Sequence, residues 1–167
     1  MTNITRAAAS DAAEIKAVTQ LAFKLYKDEL HADTPVKALS ETDDELVADI
    51  AKNLVFIARV GGKLLGSIRV KILTNELAYL YRFSVHPDEH NAGVGSEILA
   101  YALDYCLNNG IAAVALHTNA KYFKLARYYY GKQFYVHSTT TDRGYIRALF
   151  VKELTNKQVD LSKAFLE

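Results

Sequence analysis

The stretch "HNAGVG", residues 90–95, lies between an apolar segment, "AYLYRFSV" (78–85), and a segment with helical spacing of apolar residues, "SEILAYALDYCL" (96–107). Two glycines, Gly93 and Gly95, therefore fall where the sequence predicts that a strand turns into a helix. Glycines at such a junction are common in ordinary turns. They also occur where the N–H groups of a helix start close around a phosphate, because glycine lets the ligand approach the backbone. Both interpretations remain open on this stretch alone.

The rest of the chain predicts a mixed α/β fold. Apolar and β-branched runs predict strands at 3–8, 54–60, 67–72, 77–86 and 112–118, with a closing hairpin formed by "FYVHS" and "YIRALFVKEL". Helices are predicted after Ser10 or Asp11, after the Thr42 capping box, over 96–107 and over 120–131. This order predicts one domain, residues 1–167, with a central mostly antiparallel mixed sheet of six to seven strands flanked by about four helices.

Two of these strands have patterns that place them in the sheet. The third strand alternates apolar residues with Ser67, Arg69 and Lys71, which predicts that one of its faces is exposed. The fourth strand is apolar on both faces apart from Arg82, which predicts a central position.

Composition excludes several classes of protein. Twenty Lys and Arg residues against nineteen Asp and Glu give a formal net charge of +1, so we expect no nucleic-acid partner. No run approaches the ~20 apolar residues of a membrane span, and the first residues do not resemble a secretion signal. We therefore expect a cytoplasmic protein without a membrane partner. The lone cysteine, Cys106, cannot form an internal disulfide, and no residue spacing predicts a metal site.

The spacing around the glycines distinguishes among phosphate-binding loops. A third glycine three residues further on is missing, as is a Gly-Lys-Ser/Thr sequence, so neither the dinucleotide loop nor the P-loop fits. Residues 85–95 instead resemble the signature V-x-P-x-x-(Gln/Arg)-x-x-Gly-x-(Gly/Ala) of the GNAT superfamily, the acetyl-CoA-dependent N-acetyltransferases. Val85, Pro87, Gly93 and Gly95 match, whereas His90 replaces the usual Gln or Arg. Asn91 stands where a further glycine is common.

A second, looser resemblance follows the fifth strand. The family usually has an Asn there, followed by a helix that ends near a Tyr and a Gly-Phe pair. Here Asn119 follows "AAVALHT", and "RYYYGKQF" ends in Phe134, with Gln133 in place of the Gly.

The resemblance implies that acetyl-CoA is the cosubstrate, with no metal. Strands four and five would splay apart, and the pantetheine arm would pair with the backbone of Phe83, Ser84 and Val85. The pyrophosphate would bind N–H groups from the residues that open the third helix. The implied cofactor-binding residues there are His90, Asn91, Ala92, Gly93, Val94, Gly95 and Ser96, with Asn119 after the fifth strand. GNAT proteins are often dimers, so the resemblance also allows a homodimer.

The implied chemistry is direct attack of an amine on the thioester. In the family a tyrosine on the helix after the fifth strand often protonates the leaving thiolate. Counting back from Phe134 gives Tyr129, with Tyr128 and Tyr130 as neighbours. The base stays open among Glu76, His117 and a chain of waters, since the fourth strand offers no carboxylate at the usual positions.

The acceptor is expected to be the primary amine of a small molecule or a peptide. Its site would be formed by the first two helices, their connection and the closing hairpin, with Tyr26, Glu29, His31 and Asp33 in or near that connection. An alternative of a different class is a sensor or regulatory module that binds acyl-CoA without turnover. Cys106 is not expected to be a nucleophile, because it lies in the apolar stripe of a helix.

Overall fold

The computed structural model describes residues 1–30, 35–89 and 92–167. The strands are β1 (Thr2–Arg6), β2 (Leu54–Val60), β3 (Lys63–Ile72), β4 (Leu77–Val85), β5 (Ala113–Asn119), β6 (Tyr135–Thr140) and β7 (Arg147–Glu153). The α-helices are α1 (Ala12–Leu30), α2 (Lys37–Ser40), α3 (Asp43–Lys52), α4 (Val94–Asn108) and α5 (Phe123–Gly131). Short 3₁₀ turns cover Ala9–Asp11, Pro87–Glu89 and Ser162–Leu166. Within these ranges, every helix is too short or too polar to span a lipid bilayer.

The seven strands form one sheet in the order β1-β2-β3-β4-β5-β7-β6. The pairs β1–β2, β2–β3, β5–β7 and β6–β7 are antiparallel, whereas β4 and β5 run parallel. This architecture confirms the predicted fold class, and β4 has the predicted central position.

The chain groups into two compact units, each with its own apolar core. The first contains Met1–Lys71 and Arg82–Asp104, and the second contains Ile72–Tyr81 and Tyr105–Glu167. In the first, α1 and α3 bury one apolar side each against β2 and β3; the residues are Ile15, Val18, Leu46, Ile50, Val55, Ile57 and Leu64. In the second, the core joins β4, β5 and β7 to the last turn; its residues are Leu77, Tyr79, Ala113, Ala115, Leu149, Val151 and Ala164.

Local signals in the sequence set several element boundaries. Gly61 and Gly62 have φ of 56° and 83° and connect β2 to β3, as a tight hairpin requires. Thr42 caps α3: its hydroxyl accepts the Glu45 N–H at 3.2 Å, and the Glu45 carboxylate accepts the Thr42 N–H at 2.8 Å. Gly110 follows α4 with φ of 84°, the left-handed conformation of a C-terminal glycine.

The prediction that β3 exposes one face is wrong. Ser67 and Arg69 are both 0 % exposed, while Ile72, predicted to face inward, is 48 % exposed. The supposed outer face is covered because Glu41 and Asp49 bring carboxylates to the Arg69 guanidinium. Its Nη1 lies 2.6 Å from Glu41 Oε1 and 2.8 Å from Asp49 Oδ2. A charged side chain in an alternating pattern thus marks a buried ion pair here.

Replacing Thr42 by Ala removes the hydroxyl that caps α3. We expect the free energy of unfolding, measured with urea, to fall by about 1 kcal/mol. Asp44→Ala, in the same exposed first turn but outside the capping box, serves as control and should cost no more than a few tenths of a kcal/mol. Equal losses in the two variants would show that the box does not stabilise α3.

Candidate functional site

Gly93 is the residue that turns the chain into α4. Its φ is 86°, and its carbonyl accepts the Glu97 N–H at 3.0 Å, which is the first hydrogen bond of the helix. The N–H groups that open a helix have no acceptor within it and carry a partial positive charge. Gly93, Val94, Gly95 and Ser96 therefore offer the donors that the sequence predicts for a phosphate. Ala92 differs, because its N–H already donates to the Glu89 carbonyl at 3.1 Å.

Two residues of the predicted loop, His90 and Asn91, lie outside the described residues. The predictions for them stay predictions.

The last residues of β4 depart from a regular strand. Arg82 has φ of 49°, a left-handed backbone that side-chain-bearing residues rarely adopt. Two positions on, Ser84 is 1 % exposed, and its hydroxyl donates to the Arg82 carbonyl at 3.2 Å. The Phe83–Val85 backbone, predicted to pair with pantetheine, thus follows directly on an irregular residue.

Gly66 on β3 brings the β4 end and the α4 start together. A Cβ built on Gly66 would lie 3.3 Å from Val94 Cγ1 and 3.6 Å from the Ser84 carbonyl oxygen. Because Gly66 has no side chain, two of the predicted binding segments approach the same point of β3. The sequence analysis missed this residue, although a glycine inside a strand pattern often marks a close approach.

In the second unit, the β4–β5 ladder is short. It contains three pairs, Leu77–Ala113, Ala78–Val114 and Tyr79–Ala115. From Leu116 to Asn119, β5 continues in its ladder with β7. Asn119 ends β5, and its Oδ1 accepts the Lys121 N–H at 2.9 Å, which turns the chain towards α5.

Tyr129 is the buried member of the tyrosine triplet. It is 5 % exposed, whereas Tyr130 is 56 % exposed. Its ring packs at centroid distances of 5.5 Å from Phe134 and 5.6 Å from Phe150. Burial, with smaller contributions from Tyr128 and Tyr79, raises the pKa of Tyr129 well above its usual value. The phenol therefore keeps its proton at neutral pH.

A tyrosine–histidine pair lies in the same unit. Tyr79 Oη and His117 Nδ1 share a hydrogen bond of 2.7 Å. Burial, and then the Arg147 and Arg143 guanidinium groups, lowers the pKa of His117 to about 4. Burial raises the pKa of Tyr79 to about 12. Both groups are therefore neutral at pH 7, and no local sequence signal predicted the pair.

A model of the "Acetyltransferase (GNAT) family" matches residues 22–134. This chain belongs to the GNAT acetyltransferase family. A search of curated proteins finds no significant relative.

Solved structures share the GNAT fold at low sequence identity. PaiA N-acetyltransferase from Thermoplasma acidophilum, in complex with coenzyme A, is 19% identical with a TM-score of 0.80, covering 92% of this chain and 99% of its own. The ribosomal-protein-S18-alanine N-acetyltransferase from Escherichia coli is 17% identical with a TM-score of 0.75, and the match covers 96% of this chain and 99% of that protein. YncA from Salmonella typhimurium, solved with its cofactor acetyl-CoA, is 14% identical with a TM-score of 0.74, and the match covers 96% of this chain and 98% of YncA.

The predicted GNAT site residues divide between the two units. Phe83–Val85 and Ala92–Ser96 belong to the first unit, and Asn119 and Tyr129 to the second. Of the expected acceptor residues, Tyr26 and Glu29 lie in the last turns of α1, while His31 and Asp33 fall outside the described residues.

Other ionisable groups considered for this GNAT site are engaged elsewhere or inert. The Glu76 carboxylate forms an ion pair with the Lys157 ammonium. Burial raises the pKa of the Cys106 thiol to about 12, which fits a packing role. Within the described ranges, no three His, Cys, Asp or Glu side chains are grouped so that they could hold a metal ion.

A cavity of about 390 Å³ opens in the second unit. Its lining comes from the end of β5, the residues that follow it, and the β6–β7 connection; the residues are Asn119, Lys121, Thr141, Gly144, Tyr145 and Ile146. The volume is within the range of small-molecule sites. The closing hairpin, predicted to contribute to the acceptor site, thus lines this cavity.

The buried His117 should make stability depend on pH. Its folded-state pKa, about 4, lies below its ordinary value of 6.5, so the neutral imidazole stabilises the fold above pH 6.5. That contribution is lost as the pH falls towards 4. Urea unfolding at pH 7 and pH 4 tests this. Between the two pH values, the free energy of unfolding should fall by up to about 3 kcal/mol more in wild type than in His117→Gln. Equal losses would mean that His117 titrates normally in the folded protein.

Proposed function

We propose that this chain is an N-acetyltransferase that moves the acetyl group of acetyl-CoA to a primary amine of a small molecule or peptide. The observation that carries the proposal is the start of α4, where Gly93 has a left-handed backbone and no side chain directly before a set of helix-opening N–H groups. Membership in the GNAT family supports the reaction type. We also propose that residues 1–167 act as a single catalytic domain.

The residues at this helix start fit a pyrophosphate. Among the described residues, a Cβ on Gly93 would have one atom within 4 Å, Glu97 Oε1 at 3.9 Å, so these residues leave the backbone open to a ligand. We assign pyrophosphate binding to the N–H groups of Gly93–Ser96 and pantetheine binding to the backbone of Phe83–Val85. We also retain His90, Asn91, Ala92 and Asn119 as cofactor-binding residues. Bound acetyl-CoA supplies the activated thioester.

The reaction needs two proton movements. The C–N bond forms as the amine attacks the carbonyl carbon, the C–S bond breaks, one proton leaves the amine and one reaches the sulfur. We assign the second proton to Tyr129, whose phenol is protonated at neutral pH. For the first, the neutral imidazole of His117, hydrogen-bonded to Tyr79, and a chain of waters are the two candidates. The base stays open between them.

One structural neighbour is named for a protein acceptor: it is the ribosomal-protein-S18-alanine N-acetyltransferase. A peptide or a small amine at the cavity lined by Lys121 and Tyr145 is compatible with the proposal.

The direct test is to measure acetyl-CoA binding by calorimetry and then follow free thiol as a panel of amines and peptides is added. We expect saturable binding and thiol release that depends on the amine. Binding without release from any acceptor would favour the sensor alternative. The absence of binding would reject the proposal and leave Gly93 and Gly95 in an ordinary turn.

Gly93→Val should weaken acetyl-CoA binding because a β-branched residue resists a φ of 86° and distorts the helix start. We expect the dissociation constant to rise at least about tenfold. Gly93→Asn is the matched control. It should lose less affinity for acetyl-CoA than Gly93→Val, because Asn tolerates a positive φ better than Val does. Calorimetry on folded variants measures both, and equal affinity for Gly93→Val and wild type would contradict the assignment.

Tyr129→Phe removes the proposed proton donor while keeping the ring packed against Phe134 and Phe150. We expect kcat to fall about a hundredfold, with little change in acetyl-CoA affinity. Tyr130→Phe, at an exposed neighbouring position, should leave both quantities near wild type. An unchanged kcat in Tyr129→Phe would mean that the thiolate is protonated by another group.

A further inference from the structure

Arg82 holds a backbone conformation that its surroundings must stabilise. Its φ of 49° lies in the left-handed region, which a residue with a Cβ adopts only at a free-energy cost. Strands do not require such a conformation. The cost therefore indicates that contacts around Arg82 hold it in place.

Glu41 connects Arg82 to a buried ion network. The two Glu41 carboxylate oxygens accept from the Arg69 guanidinium at 2.6 and 2.7 Å. Glu41 Oε1 also lies 3.8 Å from Arg82 Nε. Because the Arg69 side chain is 1 % exposed and the Glu41 side chain 12 %, this carboxylate has a fixed position from which to attract Arg82.

Asp49 provides the second carboxylate of the network. Asp49 Oδ2 accepts from the same Arg69 Nη1 at 2.8 Å. Glu41 and Asp49 share the neutralisation of Arg69, and Glu41 in addition lies within ion-pair distance of Arg82.

The main chain carries the effect towards the proposed acetyl-CoA site. The Arg82 carbonyl accepts the Ser84 hydroxyl, and Phe83–Val85 follow directly along β4. A change in the Arg82 φ would rotate the peptide groups of this stretch. The direction of the N–H and C=O groups of Phe83–Val85 thus depends on Arg82.

We propose that Glu41 is a positioning residue for acetyl-CoA: it holds Arg82 in the left-handed conformation and so orients the Phe83–Val85 backbone. This role rests on the proposed function, because it needs acetyl-CoA to bind that backbone.

The first experiment compares Glu41→Gln with Asp49→Asn by calorimetric titration with acetyl-CoA. Each variant removes one carboxylate charge from Arg69. We expect the dissociation constant to rise about fivefold or more for Glu41→Gln and less than about twofold for Asp49→Asn. Equal weakening in both would assign the effect to loss of the ion network as a whole and overturn the role of Glu41.

The second experiment tests the backbone directly and does not depend on the folding of Glu41→Gln. Arg82→Ala loses the contact with Glu41 but keeps a Cβ, whereas Arg82→Gly adopts positive φ without strain. We expect Arg82→Ala to bind acetyl-CoA about fivefold or more weakly and Arg82→Gly to stay within about twofold of wild type. Equal weakening of both would show that the side chain itself matters and would overturn the proposal.

A double variant provides the rescue test. Adding Arg82→Gly to Glu41→Gln should restore binding to within about twofold of wild type, and persistent weakness would overturn the proposal. Wild-type protein that does not bind acetyl-CoA would reject the proposed function, and this role with it. Wild-type binding with equal constants in all variants would reject the role of Glu41 alone.

Discussion

The Arg69 side chain, which projects from β3, is buried, and its charge has to be neutralised where it lies. Glu41 and Asp49 provide the carboxylates, and both come from the segment between α2 and the end of α3. Burial disfavours the charged guanidinium, but the hydrogen bonds and charges of these partners outweigh it, so the pKa of Arg69 is raised. The ion network therefore anchors α3 to β3, next to the Thr42 cap that starts the helix.

The proposed function depends on backbone shape more than on side-chain chemistry. Gly93 takes a positive φ before α4, Gly66 leaves room beside Val94 and Ser84, and Arg82 breaks the regularity of β4. Each feature presents or orients main-chain groups in the first unit. The second unit contributes the side chains of Tyr129, Tyr79 and His117, which are all neutral at pH 7 and whose neutral forms burial favours further.

Local patterns in the sequence predicted the elements and several of their ends. The Thr42 capping box and the strand-to-helix junction at Gly93 depend on neighbouring residues, so a short window contains the whole signal. The family signature then predicted that the end of β4 and the start of α4 bind the cofactor. Counting from Phe134 selected Tyr129, and its burial distinguishes it from Tyr130.

Features that depend on distant partners were not predictable. Alternation placed Arg69 on an exposed face because its carboxylates lie 28 and 20 positions away in the sequence. Tyr79 and His117 are 38 positions apart, and nothing near either residue signals their hydrogen bond. The apolar and aromatic residues next to Arg82 likewise do not predict its left-handed φ. Such contacts follow from the way that the sheet and helices assemble.

The central claim is that main-chain N–H groups at the end of β4 and the start of α4 bind acetyl-CoA. An amide-resolved NMR titration of the isotope-labelled protein with acetyl-CoA tests it most directly. The account predicts that the largest shifts occur at Phe83–Val85 and Gly93–Ser96, with saturation in step with binding. Shifts confined to other segments, or no saturable shifts, would contradict it.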